Sequence, residues 1–248
     1  MILSKPFESY KIDSLSKRWA AVLLLLFAWG VSFYILLSPP GDPDFSQVMY
    51  WYEDMFKADS FTDYYSAHPF TDVFTTANLV YLMAFCSYLA LMHLLGFFYF
   101  VLFTCDKRNI SLKKAPSIYF SRIWWLILFS TVICVPSLLV LSYLPYVVIF
   151  LLPACYAIPG LVFFEKRDPF TSIVESFRKT HGHKLSIFAE LTVVSMIYTV
   201  IHFVIYKILN DGSIGQSLVE SFLRAYLILV IFRNLGLRYH MITVLDRN

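Results

Sequence analysis

Four of the ionisable residues inside the long apolar runs of the sequence lie on two consecutive runs, where a charge is costly. Glu190 and His202 belong to one run, and Glu220 and Arg224 belong to the next. Because residues four apart share one face of a helix, Glu220 and Arg224 are expected to pair, with His202 at a similar depth. An unpaired charge there costs about 2.5–3.5 kcal/mol on insertion scales. Two interpretations stay open: a proton or anion site, and a structural ion pair that fixes the hairpin, which we favour.

The remaining chemistry-bearing residues lack the partners that metal or covalent chemistry requires. His181 and His183 have no acidic or thiol partner at a fixed spacing, and the four cysteines are scattered without a CxxC pair. His93 stands alone in its apolar run and is expected to hydrogen-bond to a neighbouring helix. No nucleotide-binding, metalloprotease or serine-hydrolase fingerprint occurs. We therefore expect no catalytic residue, no metal ligand and no cofactor.

A polar connector over residues 165–184 separates two apolar runs and has the pattern of a short interfacial helix. Thr171 is predicted to cap a helix over residues 170–179, whose apolar edge consists of Ile173, Val174 and Phe177. Gly182 is predicted to close this helix in the left-handed conformation. The pattern describes a cytoplasmic connector at the membrane surface and requires no catalytic group.

The connector also carries a recurring pattern, A-x-x-x-S-(W/F)-x-L-(T/V)-x-G. The matching positions in this chain are Ser172, Ser176, Phe177, Thr180 and Gly182. Ser172 stands where alanine is usual, and Lys179 departs from the pattern because an apolar residue is usual there. The connector thus resembles that of the YciC-like bacterial membrane proteins and of the membrane domain of some glycerophosphoryl diester phosphodiesterases. The resemblance covers residues 146–240 and implies a multi-span envelope protein rather than a particular activity.

The connector and the ionisable residues are positioned by six apolar runs that reach or approach the length of a membrane-spanning helix. These runs are residues 19–38, 76–104, 119–143, 146–164, 185–208 and 216–235. Outside them, every Lys and Arg except Lys57 falls in alternate segments, which include both chain ends, and Lys207 lies at the opposite end of the fifth run. The positive-inside rule then predicts cytoplasmic termini. The predicted fold class is all-α: one polytopic inner-membrane domain over residues 1–248, with six transmembrane helices.

Two hairpin turns and a weak repeat suggest that the six helices form three stacked hairpins. The turns lie around Pro145 and at residues 210–212. The repeat is a serine-containing cytoplasmic stretch that precedes the first, third and fifth runs.

Two segments outside the runs are predicted to lie on the membrane surfaces. In the N-terminal arm, residues 1–18, Ile12 and Leu15 contribute to an apolar edge for the inner surface. In the outer loop, residues 39–75, Asp44 is predicted to cap an amphipathic helix, with Trp51 in an aromatic belt. The face of that helix expected to meet lipid or the span tops consists of Phe45, Val48, Met49, Tyr52, Met55 and Phe56. The alternative for this loop is a lid over a substrate cavity.

The composition identifies lipid as the solvent and the main partner. Hydrophobic residues make up 58% of the 248 residues and charged residues only 15%, a balance typical of a chain in lipid. The six predicted spans leave no stretch long enough for a soluble domain of ordinary size. The basic inner segments are expected to meet anionic headgroups, and a membrane protein is a further candidate partner. No nucleic-acid partner is expected, because no basic domain with a reading motif is visible.

Two functions from different classes fit these features. The first is a non-enzymatic bacterial envelope protein that organises lipid or a membrane partner complex. The second is a small transporter or channel-like module that uses the fifth and sixth runs. A scaffold predicts a filled bundle with paired polar groups, whereas a transporter predicts an aqueous cavity around them. An intramembrane enzyme ranks third because no nucleophile–base pair is recognisable.

Overall fold

The computed structural model describes residues 8–129, 155–209 and 213–245, and every regular element within these ranges is helical. Two short 3₁₀ turns, Leu112–Lys114 and Cys155–Ala157, precede the sixth and seventh helices. The helices in chain order are α1 Arg18–Leu37, α2 Ser46–Lys57, α3 Phe61–Ala67, α4 Phe70–Val73, α5 Thr76–Lys107, α6 Ala115–Phe129, α7 Ile158–Phe164, α8 Pro169–Lys179, α9 Lys184–Ile208 and α10 Ile214–Leu245.

Four of these helices, α1, α5, α9 and α10, are long and apolar enough to cross a membrane. They correspond to the first, second, fifth and sixth predicted runs. The third and fourth runs are described only in part, through α6 and through Cys155–Ala157 with α7, and their remaining residues lie outside the described ranges. The last predicted run ends at residue 235, whereas the helix that contains it, α10, continues to Leu245. Arg238 and Tyr239 therefore belong to a helix rather than to a tail.

The last helix is the centre of the packing. α10 packs most extensively along α1 and α5, and less along its own hairpin partner α9. The predicted third hairpin therefore contacts the predicted first hairpin directly. Gly96 and Gly236 allow the close approach of α5 and α10, because a Cβ at either position would overlap the ring of Phe232 or Phe103.

The outward surfaces of α1 and α9 are rich in large apolar side chains. A water-soluble protein rarely exposes a contiguous apolar surface of this kind, whereas lipid accommodates it. The exposed residues include Leu23, Leu26, Phe27, Tyr34, Met196, Val200 and Phe203.

One end of the bundle, called here the basic end, gathers the segments that the charge pattern places on one side. These are the N-terminal arm from residue 8, the loop after α5, the connector that contains α8, and the last turns of α10. The arm meets α5 where Ser16 donates to the Asp106 carboxylate, and Arg108 reaches Tyr239 of α10 at 3.0 Å. Tyr239 in turn donates to Glu165 of the connector at 3.1 Å.

At the opposite end, the predicted amphipathic helix is present as α2, and its predicted face contains both buried and exposed side chains. Val48 is buried and Met55 is half-buried, whereas Met49, Tyr52 and Phe56 are exposed. The buried aromatic residue is Trp51, which was expected in an exposed belt. Its indole donates to the carbonyl of His68 at 2.8 Å, and its ring packs on Tyr52, Tyr64, Tyr65 and Phe70. Asp44 accepts from the Ser46 backbone N–H at 2.8 Å, next to the start of the helix.

A glycine turn joins this loop to the start of α5. Gly41 has φ +83°, and a Cβ there would overlap the carbonyl of Ala77 and approach the backbone nitrogen of Tyr81 to 2.6 Å. Next to it, the side chain of Asn78 donates to the carbonyls of Asp42 and Asp44 at 3.1 and 2.9 Å. The loop is therefore held to α5 by backbone contacts that tolerate no side chain at residue 41.

Three glycine-to-alanine variants separate backbone strain from steric overlap. Gly41→Ala introduces both and should cost about 3 kcal/mol or more of folding free energy. Gly182→Ala introduces strain alone, since its φ is +80° but no atom lies within 4 Å of the new Cβ, and should cost about 1–2 kcal/mol. Gly30→Ala is the control in the middle of α1, with open space around the Cβ, and should be neutral or stabilising. Thermal unfolding of the purified protein in detergent measures all three. Equal losses for Gly41 and Gly182 would contradict the overlap at Ala77.

Candidate functional site

The most connected polar groups of the described chain lie in the last turns of α10. Arg233, Asn234 and Arg238 are buried polar residues, and Tyr239 is fully buried beside them. We call these four residues the α10 polar cluster. Together they contact the arm, the turn before α7, α9, the connector and the loop after α5, so the site is built outward from this one helix.

Arg238 forms a buried ion pair with Glu190 of α9. Its Nε lies 2.6 Å from Oε2 of Glu190, a terminal nitrogen contacts Oε1, and the same guanidinium reaches Oγ of Ser186 at 3.0 Å. The side chains are only 7% and 2% exposed. Of the four candidate residues inside the runs, Glu190 thus pairs with Arg238 rather than with His202, Glu220 or Arg224. The sequence pattern did not indicate this pair, because residue 238 was expected beyond the end of the last span.

The N-terminal arm is held inside the bundle by polar contacts to its backbone. Arg233 donates from Nε to the carbonyl of Glu8 at 2.7 Å, and its guanidinium lies 4.7 Å from the centre of the Phe103 ring. Asn234 donates to Oγ of Ser9 at 2.9 Å and accepts from the hydroxyl of Tyr156. This side chain thus joins the arm to the 3₁₀ turn before α7.

The predicted placement of the arm on the membrane surface is wrong for its described part. Ile12 and Leu15 are buried in the main core, and Tyr99 of α5 donates to the carbonyl of Ile12 at 2.7 Å. Tyr10 donates to the carbonyl of Val194 at 2.8 Å, and burial raises the pKa of Tyr10 to about 12, so that its hydroxyl stays protonated. The arm enters the bundle because partners for its backbone carbonyls are available there.

A second charged network ties the connector to the bundle. Lys179 of α8 lies 3.2 Å from the carboxylate of Glu165, which accepts from Tyr239. Arg108 donates to the same Tyr239 hydroxyl, and its guanidinium lies 4.8 Å from that ring and 5.1 Å from the ring of Phe164. One tyrosine thereby links the loop after α5 to the end of α7, to α8 and to α10.

The connector helix is present as α8, with a different cap from the one predicted. Asp168, not Thr171, is the N-cap residue, and its carboxylate accepts from the Thr171 backbone N–H at 3.0 Å. Hydrogen bonds from the side chain and backbone of Thr171 lower the pKa of Asp168. The helix starts earlier than predicted because Pro169 occupies the first helical position, which proline's fixed φ favours. The predicted left-handed conformation of Gly182 is confirmed by its φ of +80°.

The buried face of α8 is made of hydroxyl residues rather than the predicted apolar edge. Ser172, Ser176 and Thr180 are fully buried, whereas Val174 is 73% exposed. Ile173 and Phe177 are half-buried, and Phe177 packs under the ammonium group of Lys184, 4.7 Å away.

The buried hydroxyls of α8 are satisfied. Ser172 donates to the carbonyl of Asp168 at 2.7 Å, and Thr180 donates to that of Ser176 at 2.8 Å. Ser176 accepts from the Ala157 backbone N–H at 3.2 Å. Small side chains with satisfied hydroxyls let α8 approach the Cys155–Ala157 turn closely.

Towards the opposite end, Glu220 and Arg224 pair as their spacing predicted. Nε2 of His202 lies 3.8 Å from Glu220, and the three side chains are 22%, 36% and 40% exposed in the order Glu220, Arg224, His202. His202 also stacks on Tyr198 of its own helix. His93, expected to bond between helices, instead contacts the carbonyl of Leu89 in its own helix at 2.7 Å.

Neither polar site resembles a metal centre. Within the described ranges, no three His, Cys, Asp or Glu residues are grouped to hold a metal ion. The Glu190–Arg238 pair borders a cavity of about 180 Å³, lined also by Glu8, Lys107 and His240. Charges of both signs line this cavity, so it favours neither a cation nor an anion. No protein-family model, curated protein or solved structure matches the chain.

Double-mutant cycles distinguish the two ion pairs. Arg238→Ala should cost about 3–5 kcal/mol, because it leaves Glu190 charged and buried, and Glu190→Ala in addition should restore part of that loss. The coupling energy should be about 2 kcal/mol or more for Glu190–Arg238 and below about 1 kcal/mol for the more exposed Glu220–Arg224 pair. Chemical denaturation in detergent gives both values. Additive losses at Glu190 and Arg238 would show that the two side chains do not interact.

Proposed function

We propose that this chain is a non-enzymatic, six-span protein of the bacterial inner membrane that organises lipid or a membrane partner complex. The observation that carries the proposal is the pairing of ionisable groups within the long helices. Glu190 is paired with Arg238, Glu220 with Arg224, and Arg233 with a backbone carbonyl of the arm. A transport or catalytic site keeps such groups available to a substrate, whereas here they hold elements of the protein together.

The grouping of segments at the basic end supports six spans with both termini in the cytoplasm. Four segments lie together at this end: the arm, the loop after α5, the connector and the end of α10. In the proposal, two membrane spans separate each of these segments from the next, so the chain returns to the same side every time. In this proposal the two further spans use residues 119–143 and 146–164, and basic residues near the connector meet anionic headgroups.

A relationship to the YciC-like proteins is part of the proposal. The residues that carry the resemblance have definite packing roles: Ser172, Ser176 and Thr180 form the buried face of α8, and Gly182 ends the turn after it. A motif that fixes a connector helix against the bundle fits a family defined by architecture.

A small transporter is the second candidate, and one observation favours it. His202, Glu220 and Arg224 form a partly exposed charged group on two neighbouring helices. An ion pair beside a histidine within the spans could offer a polar substrate both hydrogen-bond donors and an acceptor.

Flux measurements with reconstituted protein decide between the two functions. Proteoliposomes that contain the wild-type chain should conduct protons and chloride no faster than protein-free liposomes, as reported by pH- and halide-sensitive dyes. The His202→Ala and Glu220→Ala/Arg224→Ala variants should leave these rates unchanged. A wild-type flux that either variant abolishes, while the variant remains folded, would establish the transporter instead.

Cysteine accessibility tests the proposed topology. In a background whose four native cysteines are replaced by alanine, Ser111→Cys in the loop after α5 should react with an impermeant maleimide only after permeabilisation. Ser66→Cys in α3 should react in intact cells. Both residues are exposed, so access to the reagent depends on the side of the membrane alone. Labelling of Ser111→Cys in intact cells would invert the topology.

A further inference from the structure

Unlike an ordinary surface helix, the connector helix α8 buries polar side chains and exposes apolar ones. Its buried face consists of the hydroxyl residues Ser172, Ser176 and Thr180, while Phe170 and Val174 point outward and are 69% and 73% exposed. These two residues are four apart, so they form one continuous apolar strip along the helix. Leu185, just beyond the connector, is 77% exposed. Such a strip is stable where it meets an apolar phase, and at the end of a membrane bundle that phase is lipid.

A groove with two arginines lies along this strip. Arg167, Thr171, Val174, Glu175 and Arg178 line a space of about 270 Å³. Nε of Arg167 lies 3.5 Å from Glu175, and a terminal nitrogen of Arg178 lies 3.9 Å from the other oxygen of the same carboxylate. Glu175 is 13% exposed at the side chain, whereas the two arginine side chains are 54% and 80% exposed. One buried carboxylate thus holds two solvent-accessible guanidinium groups beside the apolar strip.

The charge around the groove favours an anion. From residue 165 to residue 184 there are five basic and three acidic residues, which gives a net charge of +2 with neutral histidines. The single charge of Lys179 is shared between two carboxylates, Glu175 at 3.7 Å and Glu165 at 3.2 Å. Guanidinium groups bind phosphate oxygens with matched geometry.

We propose that this groove binds the phosphate of an anionic phospholipid from the inner leaflet. Arg167 and Arg178 contact the phosphate, and Phe170 and Val174 contact the upper acyl chains. The apolar strip selects a lipid over a soluble phosphate, because a free ion gains nothing from Phe170 or Val174. The proposal rests on the proposed function as a lipid-organising membrane protein, and it names the lipid class and the residues.

Lipid retention by the purified full-length protein tests the proposal. The protein in mild detergent is incubated with equal amounts of phosphatidylglycerol and phosphatidylethanolamine with identical acyl chains, and bound lipid is quantified by mass spectrometry. The wild type should be enriched in phosphatidylglycerol. Arg167→Gln/Arg178→Gln should reduce bound phosphatidylglycerol about tenfold. Phe170→Ser/Val174→Ser should reduce the binding of both lipids.

The matched control is Lys113→Gln/Lys114→Gln, which removes the same charge from exposed residues at the same end of the bundle. It should leave the enrichment unchanged. An equal loss in this control would overturn the proposal, since net charge rather than the groove would then explain binding. Added inorganic phosphate at millimolar concentration should not displace the lipid, and full displacement would identify a soluble phosphate site instead.

A measurement on the wild-type chain avoids any dependence on the folding of variants. Phosphatidylglycerol with a photoreactive diazirine near the top of one acyl chain should crosslink to residues 167–178. Crosslinks confined to other helices would overturn the proposal. Lipid binding is measured independently of ion flux. A chain that transports ions can still bind lipid in this groove, and a chain without ion flux can fail to bind it, so the two proposals fail separately.

Discussion

The structure depends on the need to pair polar groups that the last helix carries into an apolar bundle. A buried charge or amide without a partner costs several kcal/mol, and lipid offers no water to satisfy it. All four residues of the α10 polar cluster find protein partners: Arg238 with Glu190, Arg233 with the arm, Asn234 with Ser9 and Tyr156, and Tyr239 with Glu165 and Arg108. One buried nitrogen of Arg233, Nη1, is left without a hydrogen-bond partner. Because the partners come from several segments, pairing the polar groups of α10 also fixes the arm, the turn before α7, α9, the connector and the loop after α5.

The two ends of the molecule differ in the contacts that hold them together. At the basic end, paired charges and hydroxyls face inward, and α8 turns its apolar strip and two arginines outward. At the opposite end, backbone contacts around Gly41 and Asn78 join the loop to α5, and Trp51 organises a small aromatic core. Between the ends, α1 and α9 present apolar surfaces suited to lipid. The proposed role as a lipid-organising protein places recognition at the basic end and structural closure at the other.

Local patterns in the sequence were sufficient to predict the features that depend on neighbouring residues. The apolar runs predicted the four long helices, the i, i+4 spacing predicted the Glu220–Arg224 pair, and the position of Gly182 after a short helix predicted its positive φ. Contacts between distant residues were not predictable in this way. Glu190 and Arg238 are 48 residues apart, and nothing in either local pattern indicates the other. The burial of Ile12 and of the hydroxyl face of α8 likewise depends on partners that only the folded chain supplies.

The central claim is that the α10 polar cluster holds separate segments of the basic end together, and hydrogen exchange of an Asn234→Leu variant tests it most directly. Leucine has a similar volume but removes the bonds to Ser9 and Tyr156 at once. The account predicts faster exchange in peptides covering both residues 8–16 and residues 155–164, with unchanged exchange around Gly41 and Asn78. Faster exchange confined to α10 itself, or unchanged exchange in the arm and the Cys155–Ala157 turn, would contradict it.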